Sequence, residues 1–130
     1  MGCIAANIDL TIYEGGTFDQ TFIWKTGDPA VAVDLTGYSA EFKLSLKIND
    51  DAAMIECDSQ ASPWVAGGVS GIYIDNPELG EFKLYLNESD VSNICLKDIV
   101  AIYDLFLYNP SGESVLKMYG NASIKAAIAR

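Results

Sequence analysis

The chain has 130 residues, half of them hydrophobic and a fifth charged, which suffices for one domain with a core and excludes a disordered chain. Eight basic and 18 acidic side chains give a net charge of −10, which disfavours binding to nucleic acid and to anionic membranes. The sequence has no histidine, which excludes histidine-assisted nucleophilic catalysis and zinc sites that need imidazole. We therefore expect a single domain over residues 1–130 that is not an enzyme and holds no cofactor.

The first half of the chain alternates apolar and polar residues with a period of two, which is typical of β-strands. Strands are predicted at 7–13, 17–24 and 40–47, separated by turns that contain glycine. In the third strand the apolar residues are expected to face the core and the polar residues to face water, which sets Ala40, Phe42, Leu44 and Leu46 against Glu41, Lys43, Ser45 and Lys47.

The middle of the chain is predicted to contain a short strand at 53–57 and then an irregular loop over 59–70 that carries Trp64. Strands at 72–75 and 81–86 follow. The alternation in the second of these places one set of residues inward, Phe82, Leu84 and Leu86, and the other outward, Glu81, Lys83 and Tyr85.

The only helical spacing lies at 87–97, where a helix of one or two turns is predicted. The strand at 99–108 begins with apolar residues on both faces, which predicts a central position covered on both sides. The last strand, 114–128, is expected to bend through a bulge at Gly120.

These elements predict an all-β fold with about eight strands and one short helical turn, arranged as an antiparallel sandwich of two sheets. Trp24, Phe42, Leu84 and Tyr103 are expected to lie together in the core. The three cysteines form no CxxC pair and are predicted to be free thiols of a reducing compartment. The first residues have no signal-peptide pattern, so synthesis and folding in the cytoplasm are expected.

Aromatic residues outside the predicted core are the best candidates for function, because exposed aromatic side chains often mark protein interfaces. If Tyr103, Leu105 and Leu107 face the core, three other residues of the same strand face outward. Two aromatic residues from other segments are added to them as candidates. The candidate assembly interface comprises Asp104, Phe106, Tyr108, Trp64 and Tyr85. Two alternatives stay open, namely that Phe106 belongs to a second buried face and that the loop around Trp64 folds over a sheet.

Other motifs give weaker indications. The acidic turns at 50–51 and 76–78 offer oxygen ligands for calcium but lack the ligand spacing of an EF-hand loop, so solvated turns are expected. The glycine pairs at 15–16 and 67–68 lack the Lys-Ser/Thr ending of a phosphate-binding loop and are expected to form hairpin turns. No catalytic or metal-binding residue is therefore predicted.

Four segments resemble a family of small proteins from tailed bacteriophages. Residues 10–25 follow its pattern L-x-I-x-x-G-x-T-F-x-x-x-F-x-W, and residues 33–40 follow V-D-L-T-G-Y-x-A. Residues 80–86 are similar to its G-x-x-x-L-x-L strand, and residues 101–112 to Y-D-L-x-L-x-x-P-x-G. The order of these motifs covers most of the chain, and the N-terminal domain of phage baseplate upper proteins has a similar sequence pattern.

The resemblance implies an immunoglobulin-like structural protein of the virion, placed in the tail, baseplate or neck and bound to other virion proteins in a symmetric assembly. It implies structural roles for Gly37 and Tyr38, which turn the chain into the third strand, and for Tyr103, whose hydroxyl would hold a corner. A capsid decoration protein is the first alternative. The second is a module that binds host-surface glycans, with Trp64 and Tyr85 as stacking platforms.

Overall fold

The computed structural model describes most of the chain, namely residues 4–27, 29–46, 54–60, 64–65, 68–94 and 98–126. Strands contain 59% of the described residues and helices 9%, so the prediction of an all-β fold is confirmed. The elements in chain order are β1 (Ile4–Asn7), β2 (Leu10–Tyr13), β3 (Phe18–Ile23), β4 (Lys25–Thr26), β5 (Val31–Ala32), β6 (Ser39–Ser45), β7 (Ile55–Asp58), β8 (Gly71–Asn76), a 3-10 helix (Pro77–Leu79), β9 (Glu81–Leu86), α1 (Glu88–Ile94), β10 (Ile99–Tyr108) and β11 (Ser114–Lys125).

The larger sheet has six strands in the order β1-β11-β10-β6-β7, and β2 also pairs with β11. The pairs β11/β10, β10/β6 and β6/β7 are antiparallel, whereas β1 and β2 run parallel to β11. The expectation of a wholly antiparallel fold is therefore wrong at this edge. A parallel pair joins strands from opposite ends of the chain, and local sequence patterns carry no signal for such a pairing.

The strands β1 and β2 form one line along β11, interrupted at Ile8 and Asp9 and continued in the same register. At the interruption the Ile8 N–H donates to the carbonyl oxygen of Tyr119 at 2.9 Å. The Asp9 carboxylate accepts the N–H of Asn121 at 3.0 Å, so a side chain replaces one contact of the ladder. The predicted strand at 7–13 is therefore interrupted by these two residues.

Gly120 lies beside the interruption between β1 and β2, against Ile8 and Asp9. A Cβ atom at this position would be 2.5 Å from the carbonyl oxygen of Ile8, so only glycine fits without a shift of the backbone. Tyr103 lies directly opposite Gly120 and its hydroxyl donates to the same carbonyl oxygen. The predicted bulge at Gly120 is wrong, since the β10/β11 register shifts only between Leu107 and Tyr108.

The smaller sheet has the order β3-β9-β8, with both pairs antiparallel, and β4 and β5 form a separate two-stranded hairpin. The six-stranded and the three-stranded sheet both contribute to one buried cluster. It contains Phe42 and Leu105 of the six-stranded sheet and Ile72, Phe82 and Leu84 of the three-stranded sheet. Each sheet thus turns one face to a shared core and one face outward. The outer faces are the surfaces available for function.

The expected core group of four is found in large part. Phe42, Leu84 and Tyr103 are buried, whereas Trp24 is half-buried and packs against the edge of the cluster. Trp24 directly follows β3, where its N–H donates to the Gly80 carbonyl oxygen at 2.8 Å and its own carbonyl oxygen accepts the N–H of Val33 at 3.0 Å.

Two expectations about strand faces are wrong. The alternation in β6 stops at its end, so Ser45 is buried and Leu46 is 55% exposed, the reverse of the prediction. Val100 is 63% exposed, so the start of β10 is not covered on both sides, although β10 does lie between two strands. The bounds of β9 and β10 agree with the predicted strands.

The predicted helix is present as α1, a helix of seven residues. The Asn87 side-chain oxygen accepts the N–H of Asp90 at 2.9 Å, which is the bond expected of an N-cap residue. Val91 and Ile94 are buried and attach the helix to the core. The segment therefore serves as a connection between β9 and β10.

Candidate assembly interface

The outer face of β10 carries three of the five predicted interface residues. Asp104, Phe106 and Tyr108 are all half-buried and alternate with the fully buried residues of the strand. The rings of Phe106 and Tyr108 stack with centroids 6.2 Å apart. In the ladders Phe106 lies between Glu41 of β6 and Lys117 of β11. We call these five residues the β10 surface.

Charged groups border both aromatic rings of the β10 surface. The Lys117 ammonium lies 3.7 Å from the Asp104 carboxylate and 5.6 Å from the centroid of the Phe106 ring. The Tyr108 hydroxyl donates a hydrogen bond to the Glu41 carboxylate. This bond is the main cause that raises the pKa of Tyr108 to about 12, with smaller contributions from desolvation and from the charge of Glu41.

The other two predicted residues lie on the outer face of the three-stranded sheet. The Trp64 ring meets the Tyr85 ring edge-on at a centroid distance of 5.4 Å, and the Lys83 ammonium lies 3.7 Å from the centre of the Trp64 ring. The Trp64 backbone N–H donates to the Asp75 carboxylate at 3.0 Å. A third ring, Tyr73, lies edge-on to Tyr85 at 6.4 Å. We call these five residues the Trp64 cap.

The expectation that Tyr85 faces solvent is wrong, because its side chain is only 1% exposed. Strand alternation places Tyr85 on the outer face as predicted, but Trp64 and Tyr73 cover it there. Trp64 instead lies as the alternative expectation has it, with its loop folded over a sheet, here the three-stranded sheet. The indole N–H of Trp64 is buried and has no hydrogen-bond partner in the part of the chain that the structure describes.

The five predicted residues therefore do not form one surface. The β10 surface and the Trp64 cap lie on the outer faces of different sheets, with the core between them. Sequence reasoning missed Glu41 and Lys117 as neighbours of Phe106. The missing information was the register of β10 against β6 and β11, which brings Glu41, distant in sequence, and Lys117, on the next strand, to Phe106.

The other candidate sites, the cysteine thiols and the acidic turns, show little chemical reactivity. Burial is the main cause that raises the pKa of the half-buried Cys57 thiol to about 12, so it is not a thiolate near neutral pH. No cluster of three or more metal-ligating His, Cys, Asp or Glu residues occurs in the described ranges. The acidic turn at 50–51, Cys3 and Cys95 lie outside them. In the other acidic turn, the Asn76 amide donates to Glu81 at 3.1 Å.

Comparison with protein-family models finds none that matches this chain, and comparison with curated proteins gives no significant match. Within the described residues, no helix is long and apolar enough to cross a membrane.

Proposed function

We propose that this chain is a structural protein of a tailed-bacteriophage virion, an immunoglobulin-like sandwich that joins larger components of the tail, baseplate or neck. The observation that carries the proposal is the β10 surface, a stacked aromatic pair bordered by charges on an outer sheet face. The strand order, the positions of the motifs and the energetics of the exposed rings also support it.

The strand order favours an immunoglobulin-like topology. In variable-type immunoglobulin domains one sheet contains strands G, F, C and C′, and the other contains B, E and D. The order β11-β10-β6-β7 and the order β3-β9-β8 follow this arrangement when β1 and β2 together are taken as strand A. Strand A differs, because it pairs here with β11 and not with β3. The hairpin β4/β5 is then an insertion between strands B and C.

The motifs that resemble the phage family occupy positions where their residues serve the fold. Gly37 has a φ of 81°, and a Cβ atom there would be 3.2 Å from the side chain of Pro110. Gly37 and Pro110 belong to two different motif segments, so the two segments meet in space. Tyr103 belongs to the same segment as Pro110 and bonds the N-terminal strand. These contacts support a shared fold.

The energetics favour a covered β10 surface. Apolar surface exposed to water costs about 25 cal/mol per Å² relative to burial, and burial of Phe106 and Tyr108 against another subunit would remove this cost. The protein has a net charge of −10, so a neighbour with basic side chains is the preferred partner. The acidic groups Asp104 and Glu41 flank the rings and would set the register of that partner.

The test begins with particles from the strain that carries the gene. We expect an antibody against the chain to detect it in purified virions, and its absence from them would contradict the proposal. Phe106→Ser should leave the melting temperature of the isolated protein nearly unchanged and lower its occupancy on particles. The matched control is Val100→Ser, which removes an exposed apolar side chain from the same strand and face.

A large fall in the melting temperature of Phe106→Ser with unchanged occupancy would show that Phe106 serves the fold and not assembly. Separating tails from capsids before detection distinguishes a tail component from the alternative of a capsid decoration protein. The glycan-binding alternative loses its platform, because Tyr85 is buried and Lys83 lies over the ring of Trp64.

A further inference from the structure

The strand β3 forms an open edge of the three-stranded sheet. It pairs with β9 on one side, and no strand of the described chain pairs with it on the other. In the described chain β3, with six residues, is the longest uninterrupted edge strand that has no bridge on its second side. The other outer strand of this sheet, β8, does have such a bridge, from Ser59. Unpaired backbone groups along such an edge are a template for another strand.

The charge distribution favours β3 over the other sheet edges as the site of pairing with another strand. Asp19 is the only charged residue of β3, whereas β7 carries Glu56 and Asp58 within four residues. The edge formed by β1 and β2 is interrupted by two residues, so it offers no continuous strand for pairing. A second copy of a chain with net charge −10 is repelled least where the paired strands themselves carry few charges.

We propose that β3 pairs antiparallel with β3 of a second copy of this chain, about a two-fold axis that passes through Gln20. Residues directly opposite each other in an antiparallel pair lie on the same face of the sheet. With Gln20 opposite Gln20, Phe18 of each copy lies opposite Phe22 of the other. The two sheets then join into one continuous sheet of six strands.

The side-chain pattern of β3 fits this register. Phe18 and Phe22 are half-buried on the core-facing side, so the dimer forms two aromatic cross-strand pairs there. On the outer side Asp19 lies opposite Thr21, and no two like charges meet. A shift of two residues in one direction would place Asp19 opposite Asp19. In the other direction it would place Asp19 opposite the exposed Ile23 and Phe22 opposite Gln20, with Phe18 opposite Trp24 beyond the end of β3.

The proposed dimer is weak and sensitive to salt. Pairing of six residues is small beside the roughly 1,200–2,000 Å² buried in stable interfaces, so we expect reversible association at high protein concentration. Repulsion between two acidic subunits falls as salt screens it, so association strengthens with added salt. The dimer uses a different surface from the β10 surface and does not depend on the phage role.

The experiment is analytical ultracentrifugation of the full chain from micromolar to millimolar concentration. We expect the parent protein to dimerise, and Gln20→Glu and Gln20→Lys each to weaken association at least about tenfold, because like charges meet on the axis. An equimolar mixture of the two variants should dimerise again, because opposite charges then meet. The matched controls are Asn93→Glu and Asn93→Lys, which make the same changes in net charge on an exposed position of α1.

A parent protein that stays monomeric at all concentrations would overturn the proposal. Gln20 variants that associate like the parent, or a mixture no stronger than its components, would also overturn it. If a Gln20 variant loses its β-type circular dichroism, Thr21→Asp replaces it. Within the chain Thr21 lies opposite Lys83, so the fold tolerates an acid there. Across the axis it meets Asp19, so unchanged association of Thr21→Asp contradicts the register.

Discussion

The outer faces of the two sheets carry aromatic residues in different states. On the three-stranded sheet Tyr85 is buried, because Trp64 and Tyr73 pack against it. On the six-stranded sheet Phe106 and Tyr108 stack only on each other and keep part of their surface exposed. The same alternation of residues thus gives a closed face on one sheet and an open face on the other.

The difference arises from a loop that carries Trp64, together with Tyr73 of β8. The chain between β7 and β8 brings Trp64 onto the three-stranded sheet, where the Asp75 carboxylate accepts its backbone N–H. No corresponding segment of the described chain crosses the outer face of β10. An aromatic residue on an outer strand position therefore becomes a candidate for binding only when no loop of its own chain covers it.

The largest expected effect is at the closed face. Tyr85→Ala should lower the free energy of unfolding by about 3–5 kcal/mol, the usual range for removal of a large buried aromatic side chain. Tyr119→Ala is the matched control, since Tyr119 is 38% exposed on the six-stranded sheet. Denaturation by urea measures both changes. A loss of less than about 1 kcal/mol for Tyr85→Ala would remove the distinction between the two faces.

The next effect concerns the residue that closes that face. Trp64→Ala removes the edge-on contact with Tyr85 and the cation–π contact with Lys83, so we expect a loss of about 2 kcal/mol. Lys83→Gln removes the second contact alone and should cost about 0.5 kcal/mol. Hydrogen exchange of β9 in Trp64→Ala tests the cause. Unaltered exchange there would mean that Trp64 does not protect the sheet.

The smallest effect is a titration on the open face. The pKa of Tyr108 is raised to about 12, so its bond to Glu41 favours the folded state below pH 10 and is lost as the pH rises through 12. Glu41→Gln should bring the pKa of Tyr108 down towards its ordinary value of 10.0. The tyrosine ring carbon resonances report the titration. Lys43→Gln, on the same strand and face, serves as the control and should not lower this pKa.

Sequence patterns predict the strands well where alternation is complete. The bounds of β9 and β10 follow from their own residues, because each strand alternates over its whole length between clear turns. The pairing of β1 and β2 with β11 was beyond reach, since it depends on contacts across more than a hundred residues. The long-range pairing of β6 with β10 likewise hid Glu41 from the candidate interface, whereas Lys117 was missed because the register of β11 against β10 was not predicted.

Side-chain exposure was predicted less well than strand position. The period of two places Tyr85 on the outer face, yet it cannot show whether a loop returns to cover that face. The inversion at Ser45 and Leu46 has another cause, because the alternation ends with the strand. Prediction of the candidate site therefore depended on tertiary packing, which the sequence pattern does not contain.

Hydroxyl-radical footprinting of the free protein and of assembled particles tests the role of the open face most directly. Phe106 and Tyr108 should react in the free protein and become protected in the particle. Tyr85 should stay unreactive in both, because it is buried within its own chain. Equal labelling of Phe106 and Tyr108 in the two states would contradict the role of the β10 surface in assembly.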